Sequence, residues 1–203
     1  MPQPFEGPDE LFVLIIDETY GESDDETYEI ESERYRRELE REFGREFREA
    51  NIGPGADLPA FLTVLTTTQV PLWAVLLATF FAGRSIKENL NAWSEMAKAL
   101  KRFFGRPVML GRQGAAVIAL EAIMDEMDGL PKAVRLLGYT VDHLGDPAPL
   151  IERSPIDTIA DVPDTLVLGM ALHVFEIEAD GVRFRASVDG KNVSIVRLDD
   201  EQR

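Results

Sequence analysis

Two Asp-Gly pairs near the C-terminus, Asp180-Gly181 and Asp189-Gly190, constrain this chain more than any other feature. Each is flanked by residues that alternate between apolar and polar. Asp-Gly is the preferred pair for a two-residue hairpin loop, because both central positions need a positive φ. With both loops two residues long, Glu178 opposes Arg183 and Glu176 opposes Arg185 on one face. Ile177 then opposes Phe184, and Phe175 opposes Ala186, on the other. Across the second turn Ala186 meets Val193 and Phe184 meets Ile195. The two turns therefore agree on one apolar face and one salt-bridged face. The expectation is a three-stranded antiparallel β-meander within residues 165–198, with an apolar side that another layer must cover.

Residues 57–144 are the natural cover. Leu58 to Gly83 carries no charge. Thr66-Thr-Thr-Gln69 and Pro71 interrupt it, so it reads as two elements. Residues 58–68 suit a helix or a strand, and a helix opens at Pro71, since proline is tolerated in a first turn. The alternative is one membrane-inserting helix through 58–83, with Asp57 on one side and Arg84 and Lys87 on the other. Ser85 and Glu88 have the spacing of a capping box and predict a helix that carries Ile86, Leu90, Trp93, Leu100 and Phe104 on one face. Val108–Leu110 suggests a short strand. A helix over about 115–128 is closed by Gly129. Pro131 and Gly138 bracket a shorter helix, Tyr139–Leu144 suits a strand, and four prolines make 145–164 an irregular connection.

Leu11 to Asp17 is an apolar, β-branched run that reads as a buried strand, a candidate member of the same sheet. An acidic loop follows, then a helix over 29–49. Tyr35, Leu39, Phe43 and Phe47 recur every fourth residue along one narrow stripe. Glu33/Arg37, Arg34/Glu38 and Arg45/Glu49 have the spacing of i,i+4 ion pairs. Asn51-Ile-Gly-Pro-Gly stops this helix. The fold class is α+β in one domain over 1–203: an acidic strand-helix segment (1–56), a helical middle (57–144) and the meander.

The net charge of −16 argues against nucleic-acid binding, which needs clustered Lys and Arg on phosphates. The absence of cysteine removes disulfides, thiolate metal sites and cysteine nucleophiles. Residues 1–50 hold 17 acids and 6 bases, a net of −11, whereas 84–112 hold 7 bases and 2 acids, a net of +5. A basic partner suits the first segment and an anionic one the second. No secretion signal is visible, so a cytoplasmic location is expected. There is no H-E-x-x-H, G-x-S-x-G or P-loop sequence. Of the two histidines, His173 falls on the apolar face with Phe175 and Ile177 as a hydrogen-bonded core residue, and His143 falls in a turn.

Three sets of residues could carry function. The Tyr35, Leu39, Phe43, Phe47 stripe suits a protein partner or self-association. Gly111, Arg112 and Gly114, between a strand and a helix, suit an anion bound on backbone N–H groups. Asp17 and Glu18, at a strand end before Glu22, Asp24, Asp25 and Glu26, suit oxygen ligation of Mg²⁺ or Ca²⁺. The absence of catalytic motifs favours a non-enzymatic interaction or regulatory protein with no cofactor. A membrane-associated protein and a carboxylate- or metal-dependent enzyme acting on a phosphate compound are the alternatives.

Overall fold

The computed structural model describes residues 11–20, 27–52, 58–65, 70–143, 156, 159 and 171–198. Its elements in chain order are β1 (Leu11–Ile16), α1 (Tyr28–Phe43), β2 (Arg48–Ile52), β3 (Leu58–Leu65), α2 (Val70–Phe81), α3 (Leu90–Lys101), β4 (Val108–Leu110), α4 (Arg112–Glu126), β5 (Val134–His143), β6 (Ala171–Ala179), β7 (Val182–Asp189) and β8 (Asn192–Leu198). The protein is mixed α+β, with two four-stranded sheets ordered β2-β3-β1-β4 and β5-β6-β7-β8.

The apolar run at Leu11 forms a strand as expected, but it does not join the C-terminal sheet. It pairs antiparallel with β3 on one side and β4 on the other. Its two faces explain why the run is apolar throughout. Leu11, Val13 and Ile15 enter the main core, while Phe12, Leu14, Ala60, Leu62 and Met109 form a second buried cluster on the opposite face. The uncharged run 58–83 is divided between β3 and α2, with residues 66–69 outside the described set. No helix among the described residues is long and apolar enough to cross a membrane.

The C-terminal meander is present, and β5 extends it to four strands. The first hairpin has the expected register, with Glu178 opposite Arg183, Ile177 opposite Phe184 and Phe175 opposite Ala186. Asp180 (φ 50°) and Gly181 (φ 83°) supply the two positive φ values that the turn requires. The second hairpin differs. Asp189 pairs with Asn192, so the loop residues are Gly190 and Lys191, and Ala186 faces Ile195 while Phe184 faces Arg197. This displacement is by two residues, which preserves the period of two and keeps every side chain on its expected face.

Helix α4 lies between the sheets, against β1 and β4 on one side and β6, β7 and β8 on the other, with α3 beside it. It is buried on all sides over most of its length, with residues Gln113 through Glu121, Ile123 and Met124 all buried. A helix without a wet face belongs inside a protein. Gly114, Ala115, Ala116 and Ala119 allow close approach, while Val117, Ile118, Leu120 and Ile123 fill the space between. Helix α3 covers a flank with Leu90, Trp93, Met96, Ala97 and Leu100, and Lys101 Nζ lies 3.5 Å from Glu121.

Four local expectations are corrected. The helix predicted over 29–49 ends at Phe43, because Gly44 adopts the left-handed conformation (φ 62°) and caps it. The chain then turns into β2, which places the Arg45/Glu49 pair beyond the helix. Ser85 and Glu88 do not start a helix. Ile86 exchanges backbone hydrogen bonds with Val134 (2.7 and 2.9 Å), and this pairing delays α3 to Leu90. No helix lies between Pro131 and Gly138, because Val134 and Leu136 pair with β6. A bulge between Leu136 and Gly138 shifts the alternation by one residue, which hides the strand from a period-two reading. Finally, the salt-bridged face of the meander is not all wet. Glu176 and Arg185 are 0% and 2% exposed, ion-paired to each other, and the Ile156 N–H donates to Glu176 (3.1 Å). Proline-rich residues 145–155 and 160–164 lie outside the described residues.

Two variants test these packing constraints. An added Cβ at Gly190 (φ 55°) would sit 2.3 Å from the Val108 carbonyl oxygen. Gly190→Ala should therefore lower stability by about 2 kcal/mol, read from a urea midpoint. Glu176→Ala leaves the Arg185 guanidinium buried without its carboxylate. It should cost about 3–5 kcal/mol, more than Glu178→Ala, whose pairing with Arg135 is solvent-exposed.

Candidate functional site

Asp17 follows β1 and is 2% exposed. Its backbone N–H donates to the Pro59 carbonyl at 3.0 Å, which ties the strand end to β3. One carboxylate oxygen accepts from the Thr19 N–H (3.0 Å) and the Thr19 hydroxyl (2.7 Å). The other accepts from the Ser32 hydroxyl (2.6 Å) and the Tyr28 phenol (3.1 Å). Four donors on two oxygens satisfy a buried carboxylate without a metal. They also pin the first turns of α1 to the end of β1. Among the described residues, no group of three or more His, Asp or Glu is arranged to hold a metal ion; Glu22, Asp24, Asp25 and Glu26 lie outside those residues.

Glu18 reaches a later turn of α1 and the loop before β4. It accepts from the Tyr35 phenol (2.8 Å) and lies 3.4 Å from Arg106. Arg106 also binds Glu42 at 2.8 Å, and its guanidinium stacks 5.5 Å from the centroid of the Tyr35 ring. The hydrogen bond that Arg106 donates to Glu42 raises the Arg106 pKa. Burial and the Glu18 hydrogen bond push the Tyr35 phenol well above its ordinary value of 10.0. Burial also raises Tyr28, and the negative charge of Asp17 adds to the rise.

Beside this network a cleft of about 740 Å³ opens between the start of α1 and the β2–β3 edge. Tyr20, Tyr28, Glu29, Ser32, Glu49, Ala50, Pro59, Ala60 and Phe61 line it. Tyr20 and Tyr28 meet edge to face, with centroids 5.7 Å apart. Glu29 and Glu49 are exposed, and no basic side chain is among these lining residues. Ser32 and Tyr28 both line the cleft and donate to Asp17 behind it, so the buried carboxylate fixes the hydroxyl side of the wall.

The stripe of α1 faces inward. Tyr35, Leu39 and Phe47 are buried in the main core, and Phe43 packs against it. Phe43 stacks on Phe103 with centroids 4.4 Å apart, and Phe47 approaches the same ring from β2's side at 6.5 Å. The chain's own core thus occupies the surface that the stripe offers. The outer face of α1 is charged instead, with Glu33 binding both Arg36 and Arg37.

Gly111 caps α4 in an extended conformation. The Arg112 guanidinium lies 4.6 Å from the centroid of Phe81, and its buried Nε has no acceptor among the described residues. Gly114 brings α4 against β1 and β4; a Cβ there would lie 3.3 Å from Leu110 Cβ and 3.7 Å from the Phe12 carbonyl oxygen. His173 is buried and shares a 2.9 Å hydrogen bond with the Tyr139 phenol. His143 ends β5.

No protein-family model, curated protein or solved structure matches this chain. The site is therefore read from its own chemistry. Sequence reasoning singled out Asp17 and missed its partners. Tyr28 and Ser32 lie 11 and 15 residues away. Their spacing of four on one helix face was the available signal.

Tyr28 and Tyr35 have pKa values raised by folding, so the folded state holds their protons more tightly than the unfolded chain. The associated stability is complete below pH 10 and is lost as pH rises above it. The melting temperature should be flat from about pH 7 to 9 and fall beyond pH 10. Tyr35→Phe should flatten that alkaline limb in a pH series of thermal melts.

Proposed function

We propose that this protein is a non-enzymatic interaction protein that takes a basic side chain of a partner protein into the cleft between α1 and the β2–β3 edge. The observation that carries this reading is the lining itself. Two exposed carboxylates, Glu29 and Glu49, flank an edge-to-face tyrosine pair, and no cation stands among them. A carboxylate attracts an ammonium or guanidinium by charge, and a tyrosine face attracts it through the ring quadrupole. Half-buried Ala50 and Pro59 suit the methylene stem of Lys or Arg. The net charge of −16 steers a basic segment toward the protein at low salt.

The reading agrees with the absence of catalytic motifs. Asp17, the most deeply placed carboxylate near the cleft, has its oxygens engaged by four donors, and so serves to hold Tyr28 and Ser32 in place.

The test is fluorescence anisotropy of the full chain with a labelled peptide carrying one arginine, and with the same peptide carrying glutamine there. Glu29→Gln/Glu49→Gln should weaken arginine-peptide binding roughly tenfold, and Tyr20→Ala should weaken it too. Glu95→Gln/Glu126→Gln removes the same charge at exposed positions outside the cleft and should leave binding nearly unchanged. Equal loss in both double variants, or no preference for the arginine peptide, would overturn the proposal.

A further inference from the structure

Among the described helices, α1 and α3 turn charged side chains to water, and α4 is buried. Helix α2 does neither. Its inner side packs Trp73, Leu76, Leu77 and Phe80 into the main core. Its outer side carries Val75 at 61% exposure, with Ala78 exposed and Leu72, Ala74 and Thr79 half-buried. Ala82, exposed just past the helix, continues that side. A helix that is apolar all round belongs in a core or in a membrane. In α2 the apolar residues run on to a side that stays open.

The end of this helix is basic. Gly83 (φ 65°) donates to the Phe80 carbonyl at 2.9 Å, and the Arg84 N–H donates to the Thr79 carbonyl at 3.1 Å. This cap fixes Arg84 against the last turn. Arg84 and Lys87 are both exposed. They open the segment 84–112, which holds 7 bases and 2 acids, whereas 58–83 holds no charge at all.

We infer that α2 lies flat on an anionic lipid bilayer, with Leu72, Val75 and Ala78 at the boundary of headgroups and acyl chains and Arg84 and Lys87 among the lipid phosphates. Twelve residues of helix are about 18 Å long, so α2 lies in the surface and does not cross it. Apolar burial and attraction of basic residues to acidic headgroups add in such a contact. The charge of −16 does not forbid it, because salt screens charges beyond about 8 Å and the local sign decides. A bilayer fits this face better than a protein partner does. The open side offers no aromatic or arginine anchor and one hydroxyl, Thr79, whereas protein interfaces are centred on such anchors. Neither α2 nor Arg84 and Lys87 line the cleft, so the inference is independent of it.

Co-sedimentation of the full chain with vesicles tests it, using phosphatidylcholine alone and equal parts phosphatidylcholine and phosphatidylserine. The wild type should bind the mixed vesicles, more weakly as salt rises, and bind the neutral ones far less. Val75→Asp should reduce binding to the mixed vesicles roughly tenfold, and so should Arg84→Gln/Lys87→Gln. Arg34→Gln/Arg41→Gln removes the same charge from the outer face of α1 and should leave vesicle binding nearly unchanged. Ala78→Asp, also at an exposed position, takes the place of Val75→Asp if that variant fails to fold by circular dichroism. No binding to the mixed vesicles, or a folded aspartate variant that binds them like the wild type, would overturn the inference. Equal binding to both vesicle types, unmoved by Arg84→Gln/Lys87→Gln, would overturn the role of the basic end. A wild type that ignores vesicles but forms a dimer that Val75→Asp abolishes would overturn it in favour of a second copy on this face.

Discussion

Helix α4 has to fit two sheets at once, and the rest of the fold is arranged around that requirement. Its residues meet β1 and β4 on one side and β6, β7 and β8 on the other. Close-packed interiors leave little room for a misfitted side chain. This explains the glycine and alanine steps at 114, 115, 116 and 119, where a larger residue would push a sheet away. It also explains why the outer helices can tolerate charge. Once α4 has joined the two inner faces, α1 and α3 need only one apolar side each. The β7–β8 turn then reaches across to β4, and Lys191 donates to the Phe104 carbonyl at 3.2 Å, so the second sheet is fastened to the first at its periphery too.

The charge of the chain is organised around a few buried or half-buried groups. Asp17 joins β1 to α1 through hydroxyl donors, and Glu18 joins α1 to Arg106 through Tyr35. The two neighbouring acids thus bind successive turns of one face of the helix. The ion pair of Glu176 with Arg185 is a different case, since it is desolvated on both partners. Such a pair is a poor source of net stability, but it penalises any arrangement that leaves either charge alone. In this sheet it selects the register in which the two residues face each other. Exposed Glu29 and Glu49, by contrast, stay in water beside the cleft, where a cation can reach them.

Much of the fold was legible in the sequence because local rules and tertiary packing agreed. The first Asp-Gly turn specified its own register, and the apolar run at 11–17 announced a buried strand. The failures came where a distant pairing overruled a local signal. Ser85 and Glu88 had the spacing of a cap, yet Ile86 gained two backbone hydrogen bonds from Val134. The stripe from Tyr35 to Phe47 kept the period of a helix through a glycine that ended it. Both phenylalanines still met Phe103, one from the helix and one from the strand side. The cleft was hidden for a related reason. Its two tyrosines and two glutamates come from a turn, a helix and a strand, and no spacing rule connects them.

The sequence by itself determined the α+β class, the first hairpin's register, a helix ahead of Gly129 and the strongly acidic net charge. These follow from period, turn chemistry and composition, which act over a few residues. Only the tertiary structure decided that there are two sheets, that α4 lies between them, that the stripe of α1 belongs to the core, and that Asp17 is a hub of hydroxyl donors. Each of those depends on contacts between residues far apart in the chain, such as Asp17 with Ser32 or Ile86 with Val134. Their free energy comes from burial and from satisfying polar groups away from water, and neither can be assigned until it is known which surfaces meet.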